Sequence, residues 1–412
     1  MVTVHSGSPP SVRKVEDHVE QLKGRGVEER VIVLRVSERT RRGDVGGEGK
    51  PTEIAIEAES VDRDEWSDLL ADQDVEATSL EMPTSLIEPY ATDESSAEPG
   101  NSWGIDAVQA SQSTYTGEEV IVAVLDTGID GGHPAFSGVT VVPNDFTGTG
   151  PGDRRGHGTH CAGTIVGRDV DGVRIGIARG VTRLLDGKVL PDKGYGTSKM
   201  LFEGIQWAAQ EGANIIAMSL GFDFPRMVAE GVSRGIEPDL ATSRALEAYR
   251  GNLRMFDALM QLMQRTPAYR FDGVIVAAAG NESKRDVRTD YVIGASLPAA
   301  AEGVISVGAI GCDGDGFAVG AFSNGRPTIS APGIGITSAK LGGGLAQKTG
   351  TSMACPHVAG VAALWFERAR TGGAPTDPEL VRGVLLGNAR TDVFHPRFNR
   401  VDHGVGLVTA PR

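Results

Sequence analysis

Residues 120–128 read VIVAVLDTG, an apolar run that ends in an aspartate and a turn. Three later segments have the same character: ANIIAMSLG at 213–221, GVIVAAAGN at 273–281 and GVISVGAIG at 303–311. Near-continuous apolar strands are typical of a parallel sheet that is buried on both faces. Because helical patterns separate these segments, the sequence predicts an α/β fold with a mainly parallel central sheet.

Three of these segments place a polar side chain at or just after the carboxyl end of the predicted strand: Asp126, Ser219 and Asn281. In open α/β sheets, ligands bind at the carboxyl edge. We therefore expect the functional site at this edge of the sheet.

Length and composition restrict the class of protein. With 412 residues, the chain is long enough for one large domain and a smaller one. A hydrophobic fraction of 40% and a charged fraction of 23% are typical of a globular protein. The net charge of -14 argues against nucleic acid or an anionic membrane as a partner.

The sequence also bears on location and redox chemistry. Residues 1–21 lack the apolar core of a secretion signal, and no later run is long and apolar enough to span a bilayer. We expect a cytoplasmic protein, although a secreted chain whose signal had been removed would look the same. The three cysteines have no zinc-like spacing and are too few for a disulfide framework, so we expect free, mostly buried thiols.

Composition divides the chain into two domains. Residues 1–90 contain two strand patterns, RVIVLRV and TEIAIEA, with helical patterns at 15–22 and 62–72, which together predict a small α+β domain. Residues 91–102 are acidic and rich in Ser, Pro and Gly, as linkers are. The main domain then covers 103–412.

The main domain contains an unusual segment at about 222–272. Apolar residues follow steps of three and four there, which predicts an amphipathic helix: Leu246, Tyr249, Leu253, Phe256, Met260 and Met263. We expect this stripe to pack on the core of its own domain, and a partner-binding face is the alternative.

Residues 348–360, KTGTSMACPHVAG, surround one serine with small neighbours. Taken alone, Ser352 could simply cap the helix that follows. A serine hydroxyl becomes a good nucleophile when an imidazole accepts its proton and a carboxylate orients that imidazole. Asp126 and His157, the latter in GHGTHCAGT at 156–164, can supply these two groups.

Other residues support this interpretation. A helix that begins near Ser352 directs free N–H groups at a developing oxyanion, and Asn281 can add a side-chain donor. Pro356 is expected near the first turn of that helix, where its missing N–H matters least. His133, His160 and His357 are interpreted as structural. Asp-Thr-Gly is also the signature of aspartic proteases. Those enzymes need two copies of this motif, and the chain contains a single copy.

Four blocks carry a family resemblance. VLDTGIDGGHP, GHGTHCAGT and GTSMACPHVAG, in this order, resemble the three signature blocks of the subtilisin-like serine proteases, the subtilase family. AAAGN at 277–281 resembles the oxyanion segment of the family. The similarity covers roughly residues 101–410. It implies a three-layer fold and a serine endopeptidase in which Asp126 orients, His157 transfers protons, Ser352 attacks and Asn281 binds the oxyanion.

The resemblance also implies where a polypeptide substrate binds. Its backbone is expected to form an extra strand between KGYGT at 193–197 and SLGF at 219–222, so broad sequence tolerance is expected. The pocket for the residue before the cut is expected to prefer apolar side chains, with Glu282 at its rim. The residues assigned to substrate binding are Gly194, Tyr195, Gly196, Ser219, Leu220, Gly221, Ala278, Ala279 and Gly280.

The sequence departs from the family at two places. Ala135 and Val170 stand where the strong calcium site of many subtilases has oxygen ligands, so we expect no required cofactor or metal. Calcium remains possible at four aspartates: Asp169, Asp171, Asp313 and Asp315. The second departure is the 222–272 insertion directly after Phe222, which we expect to cover part of the substrate groove.

The N-terminal domain resembles the inhibitory propeptide of the family more weakly, through RVIVLRV at 30–36 as a first strand and LLADQDVEATSLEMPTSLIEP at 69–89 as a helix end and last strand that lead into the cleft. As a propeptide it would assist folding, inhibit the enzyme and be cut between Tyr90 and Trp103. The alternative is an N-terminal domain that stays permanently attached. The chain would then be, at the furthest, a binding protein without catalytic activity, but the presence of all four candidate catalytic residues argues against a loss of activity. A different serine hydrolase, such as an esterase, is disfavoured because Ser352 lacks the glycine two residues later that such enzymes use.

Overall fold

A computed structural model of the chain describes residues 28–37, 53–91, 103–373 and 377–412. The helix expected at 15–22 and most of the expected linker lie outside these residues.

The N-terminal region forms a small antiparallel sheet with one helix. Its elements are β1 (Glu29–Ser37), β2 (Glu53–Val61), α1 (Arg63–Ala71) and β3 (Val75–Leu80), and the strand order is β2-β1-β3. Asp62 begins α1 because its carboxylate accepts the N–H groups of Asp64 and Glu65, while the Glu65 side chain accepts the Asp62 N–H. Two short strands follow, β4 (Pro83–Leu86) and β5 (Tyr90–Ala91). Both pair with the main domain and not with the N-terminal sheet.

The main domain contains the expected parallel sheet. Its elements in chain order are α2 (Trp103–Ala107), β6 (Ile121–Asp126), β7 (Thr140–Asp145), α3 (His157–Val166), β8 (Arg183–Lys188), β9 (Tyr195–Thr197), α4 (Ser198–Gln210), β10 (Ile215–Met218), β11 (Leu220–Phe222), α5 (Phe224–Ser233), α6 (Pro238–Arg265), β12 (Val274–Ala278), β13 (Val304–Asp313), β14 (Gly316–Val319), β15 (Ile329–Pro332), β16 (Ile336–Ala339), β17 (Leu345–Thr349), α7 (Thr351–Thr371), α8 (Pro378–Gly387) and α9 (Arg400–His403). The sheet order is β14-β13-β12-β10-β6-β8-β7, with β15 also paired to β13. Every pair is parallel except β13 with β14.

Side chains on the two faces of the sheet enter two separate cores. Val122 and Val124 of β6 pack with residues of α3 and α7, whereas Ala123 and Leu125 pack with α4 and α6. This alternation follows from the two-residue period of a strand. The prediction of a three-layer α/β fold is confirmed.

The insertion at 222–272 forms α5 and α6, and its packing differs from the expected stripe. Phe256 and Met263 are buried as expected, but Leu246 is 46% exposed. The buried face is shifted toward small residues because α6 lies close to β3: a Cβ on Gly251 would lie only 2.6 Å from Ser79 Oγ. Asn252 is fully buried and donates to Ser79 Oγ (2.9 Å) and to the Leu80 carbonyl (2.8 Å). The helix therefore contacts the N-terminal sheet as well as its own domain.

Within the described parts of the chain, none of the helices combines the length and the apolar character that a membrane span requires.

Candidate active site

The carboxyl ends of β6, β10 and β12 bring the predicted residues to one edge of the sheet. Asp126 is the last residue of β6 and His157 is the first residue of α3. His157 Nδ1 lies 2.8 Å from Asp126 Oδ1 and 3.0 Å from Oδ2, and each side chain is 1% exposed. A Cβ on Gly158 would lie 2.2 Å from the Gly128 carbonyl, so only glycine lets α3 start this close to the loop after Asp126.

Asp153 organises the loop before His157, a role that sequence reasoning missed. Its carboxylate accepts hydrogen bonds from Thr127 Oγ1 (3.0 Å), the Gly156 N–H (2.8 Å) and the Thr159 N–H (3.0 Å). It thereby joins the end of β6 to the start of α3. An acidic residue in a glycine-rich loop four positions before His157 was the only available signal.

Ser352 lies in the first turn of α7 and faces a segment from the N-terminal region. Its Oγ donates to the carbonyl oxygen of Ile87 at 2.8 Å. His157 Nε2 is buried and has no hydrogen-bond partner among the described residues. A Cβ on Gly350 would lie 2.9 Å from Asn281 Nδ2, which explains the small residue before Thr351.

Asn281 is held in one orientation by the start of the same helix. Its Oδ1 accepts both the N–H and the Oγ1–H of Thr351, each at 2.9 Å. Its Nδ2 therefore faces the cleft, where it donates to the carbonyl oxygen of Glu88 at 2.8 Å. The serine and the asparagine thus bind two successive carbonyls of one passing segment.

Pro356 does not lie in the first turn of its helix, near which the sequence places it. Helix α7 begins at Thr351, so Pro356 lies in its second turn, and the carbonyl that loses its helical donor is that of Ser352. Ser219 Oγ and Cys161 Sγ each donate to this carbonyl at 3.3 Å. The missing bond is therefore replaced by two side chains from neighbouring elements.

The segment that passes the catalytic edge is β4 with the residues after it. Strand β4 is antiparallel to β11 on one side and to β9 on the other. The Leu86 N–H donates to the Gly194 carbonyl (2.8 Å), and the Ile87 N–H donates to the Ser219 carbonyl (3.3 Å). These bonds and the strand register bring six of the nine predicted substrate-binding residues to the segment: Gly194, Tyr195, Gly196, Ser219, Leu220 and Gly221.

The other three predicted residues, Ala278, Ala279 and Gly280, lie beside the segment at the end of β12. Ile87 is buried in the same hydrophobic cluster as Ala278. The Ala279 carbonyl accepts from Asn324 Nδ2 (3.1 Å), and the Gly280 N–H donates to Thr351 Oγ1 (3.2 Å). Their backbone groups therefore support the pocket wall.

Comparison with known proteins agrees with this geometry. The model of the subtilase family matches residues 117–407. The chain belongs to the subtilase family. It is 32% identical to an intracellular serine protease of Paenibacillus polymyxa over 69% of this chain and 81% of that protein. It is also 32% identical to the M-protease of Shouchella clausii, over 83% of this chain and 77% of that protein. The chain is therefore a subtilisin-like serine endopeptidase, which confirms the predicted enzyme class.

In this subtilase the three histidines interpreted as structural lie against backbone carbonyl groups. His133 Nε2 lies 2.9 Å from the Gly344 carbonyl, and His160 Nε2 lies 3.1 Å from the Ile336 carbonyl. Burial lowers the pKa of His357 to about 4, so its imidazole is neutral at pH 7. Their interpretation as structural side chains fits these contacts.

The thiols of the subtilase lie in two environments. Cys161 and Cys355 are buried and Cys312 is exposed, and all three are free. Burial raises the pKa of the Cys355 thiol to about 12 and that of Cys161 well above its usual value. Both buried thiols therefore stay protonated and serve as packing groups and weak donors.

Two of the four aspartates considered as calcium ligands are paired with arginines. Ala135 and Val170 are buried and apolar, so they offer no side-chain oxygen. Asp169 is paired with Arg179, and Asp313 is paired with Arg397. The one group of three that could hold a metal among the described residues is Asp126, His157 and Cys161, which overlaps the candidate triad.

Glu282, expected at the rim of the specificity pocket, is bound to a neighbour. Its Oε2 accepts a hydrogen bond from Asn324 Nδ2 at 2.6 Å. A basic substrate side chain would have to compete with this contact.

Proposed function

We propose that Asp126, His157 and Ser352 form the catalytic triad of this endopeptidase and that Asn281 is the oxyanion donor. Ser352 Oγ attacks the carbonyl carbon of a bound peptide while His157 Nε2 accepts its proton. Asp126 holds the imidazole through Nδ1 and stabilises its charged form. His157 then protonates the leaving amine. In the second half of the reaction His157 accepts a proton from water, the water attacks the acyl-enzyme, and His157 returns the proton to Ser352 Oγ.

One observation carries this proposal: the chain's own residues 83–88 lie in the cleft as a peptide would. The segment forms the middle strand between β9 and β11, and the Ile87 carbonyl accepts from Ser352 Oγ at 2.8 Å. Strand addition uses backbone contacts, so it supports a broad range of polypeptide substrates. The burial of Ile87 beside Ala278 supports an apolar preference before the cut.

We further propose that the N-terminal domain is an inhibitory propeptide that the enzyme removes from itself. Its sheet lies against α6 and its β4 strand fills the cleft, so substrate is excluded while it stays bound. The contact of Ser352 with Ile87 favours cleavage of the Ile87–Glu88 bond. This position is upstream of the interval between Tyr90 and Trp103 that the sequence suggested.

The alternative of a permanently attached N-terminal domain has one supporting observation. Ser352 binds the Ile87 carbonyl, but Asn281 binds the Glu88 carbonyl. Cleavage requires the attacked carbonyl to receive the oxyanion donor as well. The segment must therefore shift slightly before it can react, and a chain that never makes this shift would remain whole.

The experiment that separates these possibilities is intact mass against time for the full-length protein and for Ser352→Ala. If only the wild type loses residues 1–87, catalysis, nucleophile and self-processing are supported together. If both stay whole, a serine-directed phosphonate decides the next step. If the phosphonate labels the wild type and not Ser352→Ala, the protein is an active enzyme with a permanent N-terminal domain. If the phosphonate labels neither protein and casein is not hydrolysed, the proposed triad is contradicted.

We also propose that the protein works inside the cell and needs no metal. The location is supported by two relatives, from Paenibacillus polymyxa and Bacillus subtilis, whose names contain the word intracellular. The second is 31% identical over 67% of this chain and 78% of that protein. Cell fractionation tests the first point, and activity after treatment with a calcium chelator tests the second.

A further inference from the structure

Glu88, the residue directly after the Ile87 carbonyl, is held by a positive side chain of the cleft. Arg155 Nη2 donates to Glu88 Oε1. Arg155 lies two residues before His157, on the loop that Asp153 organises. The contact therefore joins the residue after the candidate scissile bond to the loop that carries the candidate base.

The position of Arg155 is defined by more than this ion pair. Its backbone N–H donates to Asp153 Oδ1 at 2.8 Å, which fixes the loop. A Cβ on Gly194 would lie 3.4 Å from Arg155 Cζ, so the guanidinium rests against Gly194, whose carbonyl accepts the Leu86 N–H. The Arg155 side chain is 31% exposed, so solvent reaches it only in part.

A second cation lies on the other side of the same loop. Lys348 Nζ donates to the Gly156 carbonyl at 2.8 Å, and Lys348 is paired with Ala91 across β17 and β5. Burial lowers the pKa of Lys348, the charges of Asp153 and Asp126 raise it, and the neighbouring Arg155 lowers it by a smaller amount. Lys348 therefore interacts mainly with the carboxylates behind the loop, and Arg155 is the basic side chain that contacts Glu88.

Building on the proposed function, we propose that Arg155 is a specificity-determining residue that makes this endopeptidase prefer an acidic residue directly after the scissile bond. Arg155 contacts the substrate side chain and takes no part in bond breaking. The preference comes from attraction to a carboxylate and repulsion of an ammonium group. Because the Glu88 side chain is 57% exposed, solvent screens both effects and the preference is moderate. The chain's own Glu88 is the first occupant of this site.

Arg154 provides a matched control. Arg154 carries the same charge as Arg155 and lies on the same loop. Its guanidinium does not contact Glu88 and instead donates to Asp192 Oδ2 (3.1 Å) and to the Thr149 carbonyl (3.3 Å). Replacing it removes one positive charge from the loop without removing the contact to Glu88.

The test is a competition among three peptides. Each consists of residues 82–87 of the chain, one variable residue and a neutral tail, and the variable residue is Glu, Gln or Lys. The full-length protein cleaves the mixture and mass spectrometry gives the initial rates, whose ratios do not depend on how much enzyme is free of its own segment. We expect Glu to be cleaved about tenfold faster than Lys in the wild type and in Arg154→Ala. In Arg155→Ala the ratio should fall below about twofold, and in Arg155→Glu the order should reverse.

Several results would overturn the proposal. Equal rates in the wild type, or an unchanged ratio in Arg155→Ala, would remove Arg155 as the selecting residue. Cleavage of casein with all three peptides left whole would also overturn it and leave the proposed function standing. If neither casein nor peptide is cleaved and the wild type keeps its mass, the proposed function fails, and this inference fails with it.

Discussion

Replacing Asp186 by asparagine should change how the stability of the enzyme depends on pH. Asp186 lies on β8 and is 2% exposed, and its Oδ1 has no hydrogen-bond partner among the described residues. Burial raises the pKa of its carboxyl from 3.8 to about 7. A hydrogen bond from Ile129 opposes this shift, the negative charges of Asp153 and Asp126 add to it, and Lys188 opposes it.

The sign of the effect follows from where the proton is held. Between pH 3.8 and about 7, the unfolded chain has released this proton and the folded protein still binds it. The free energy of unfolding therefore falls as the pH rises through this window and levels off about one pH unit above the folded pKa. The whole shift corresponds to about 4 kcal/mol, of which about 2 kcal/mol lies between pH 5 and pH 7 and about 3 kcal/mol between pH 5 and pH 8.

Asparagine has nearly the same shape and no charge, so Asp186→Asn should lose this dependence. We would measure urea unfolding from pH 5 to pH 8.5 in the Ser352→Ala background, which prevents self-digestion. The stability of Asp186→Asn relative to its parent should rise by about 3 kcal/mol from pH 5 to pH 8.

Asp192→Asn is the control, because Lys188 lowers the pKa of Asp192 below its usual 3.8 and its carboxyl is therefore ionised in both the folded and the unfolded state throughout this range. The stability of Asp192→Asn relative to its parent should stay constant from pH 5 to pH 8.5. A difference between Asp186→Asn and its parent that stays constant with pH would show that Asp186 is ionised throughout, and would refute the reasoning.

Three further substitutions test the site and its neighbours. Asn281→Ala should lower kcat by about 10²–10³ with little change in KM, a range taken from a relative in the same family, and a loss confined to KM would contradict its role. Asn252→Ala should weaken the docking of β3 on α6 by about 2 kcal/mol. In the Ser352→Ala background this should speed hydrogen exchange of the backbone amides at 75–86, and unchanged exchange would argue against the contact. Gly158→Ala should lower kcat/KM at least about tenfold, since its Cβ would meet the Gly128 carbonyl, and full activity would mean that α3 shifts freely.

The parts of the structure that the sequence predicts well are those determined by local patterns. Strands β6, β10, β12 and β13 follow from uninterrupted apolar runs, because only a sheet covered on both faces buries them. The placement of Asp126 and Asn281 at one edge of the sheet follows from the parallel direction of their strands. Both inferences need only the period of a strand and the direction of its neighbours.

The parts that were missed depend on contacts between distant segments. The resemblance predicts that the strand ending near residue 89 leads into the cleft, but it does not give the carbonyl that meets Ser352, because that contact depends on the register of β4 with β9 and β11. The exposed Leu246 has a similar cause, since the position of β3 decides which face of α6 is buried. Pro356 was expected near the first turn of α7 and lies in the second, where the donors that replace its missing N–H come from distant segments at Cys161 and Ser219.

The short connection between β3 and β4 has a consequence for how the enzyme would become active. Strand β3 docks on α6 and β4 occupies the cleft, and only two residues separate them. The two contacts therefore act as a bivalent ligand with a high effective concentration. A cut after Ile87 leaves both contacts on one fragment, so cleavage alone does not free the cleft. Activity should then appear with a lag that ends once released enzyme begins to digest the fragment.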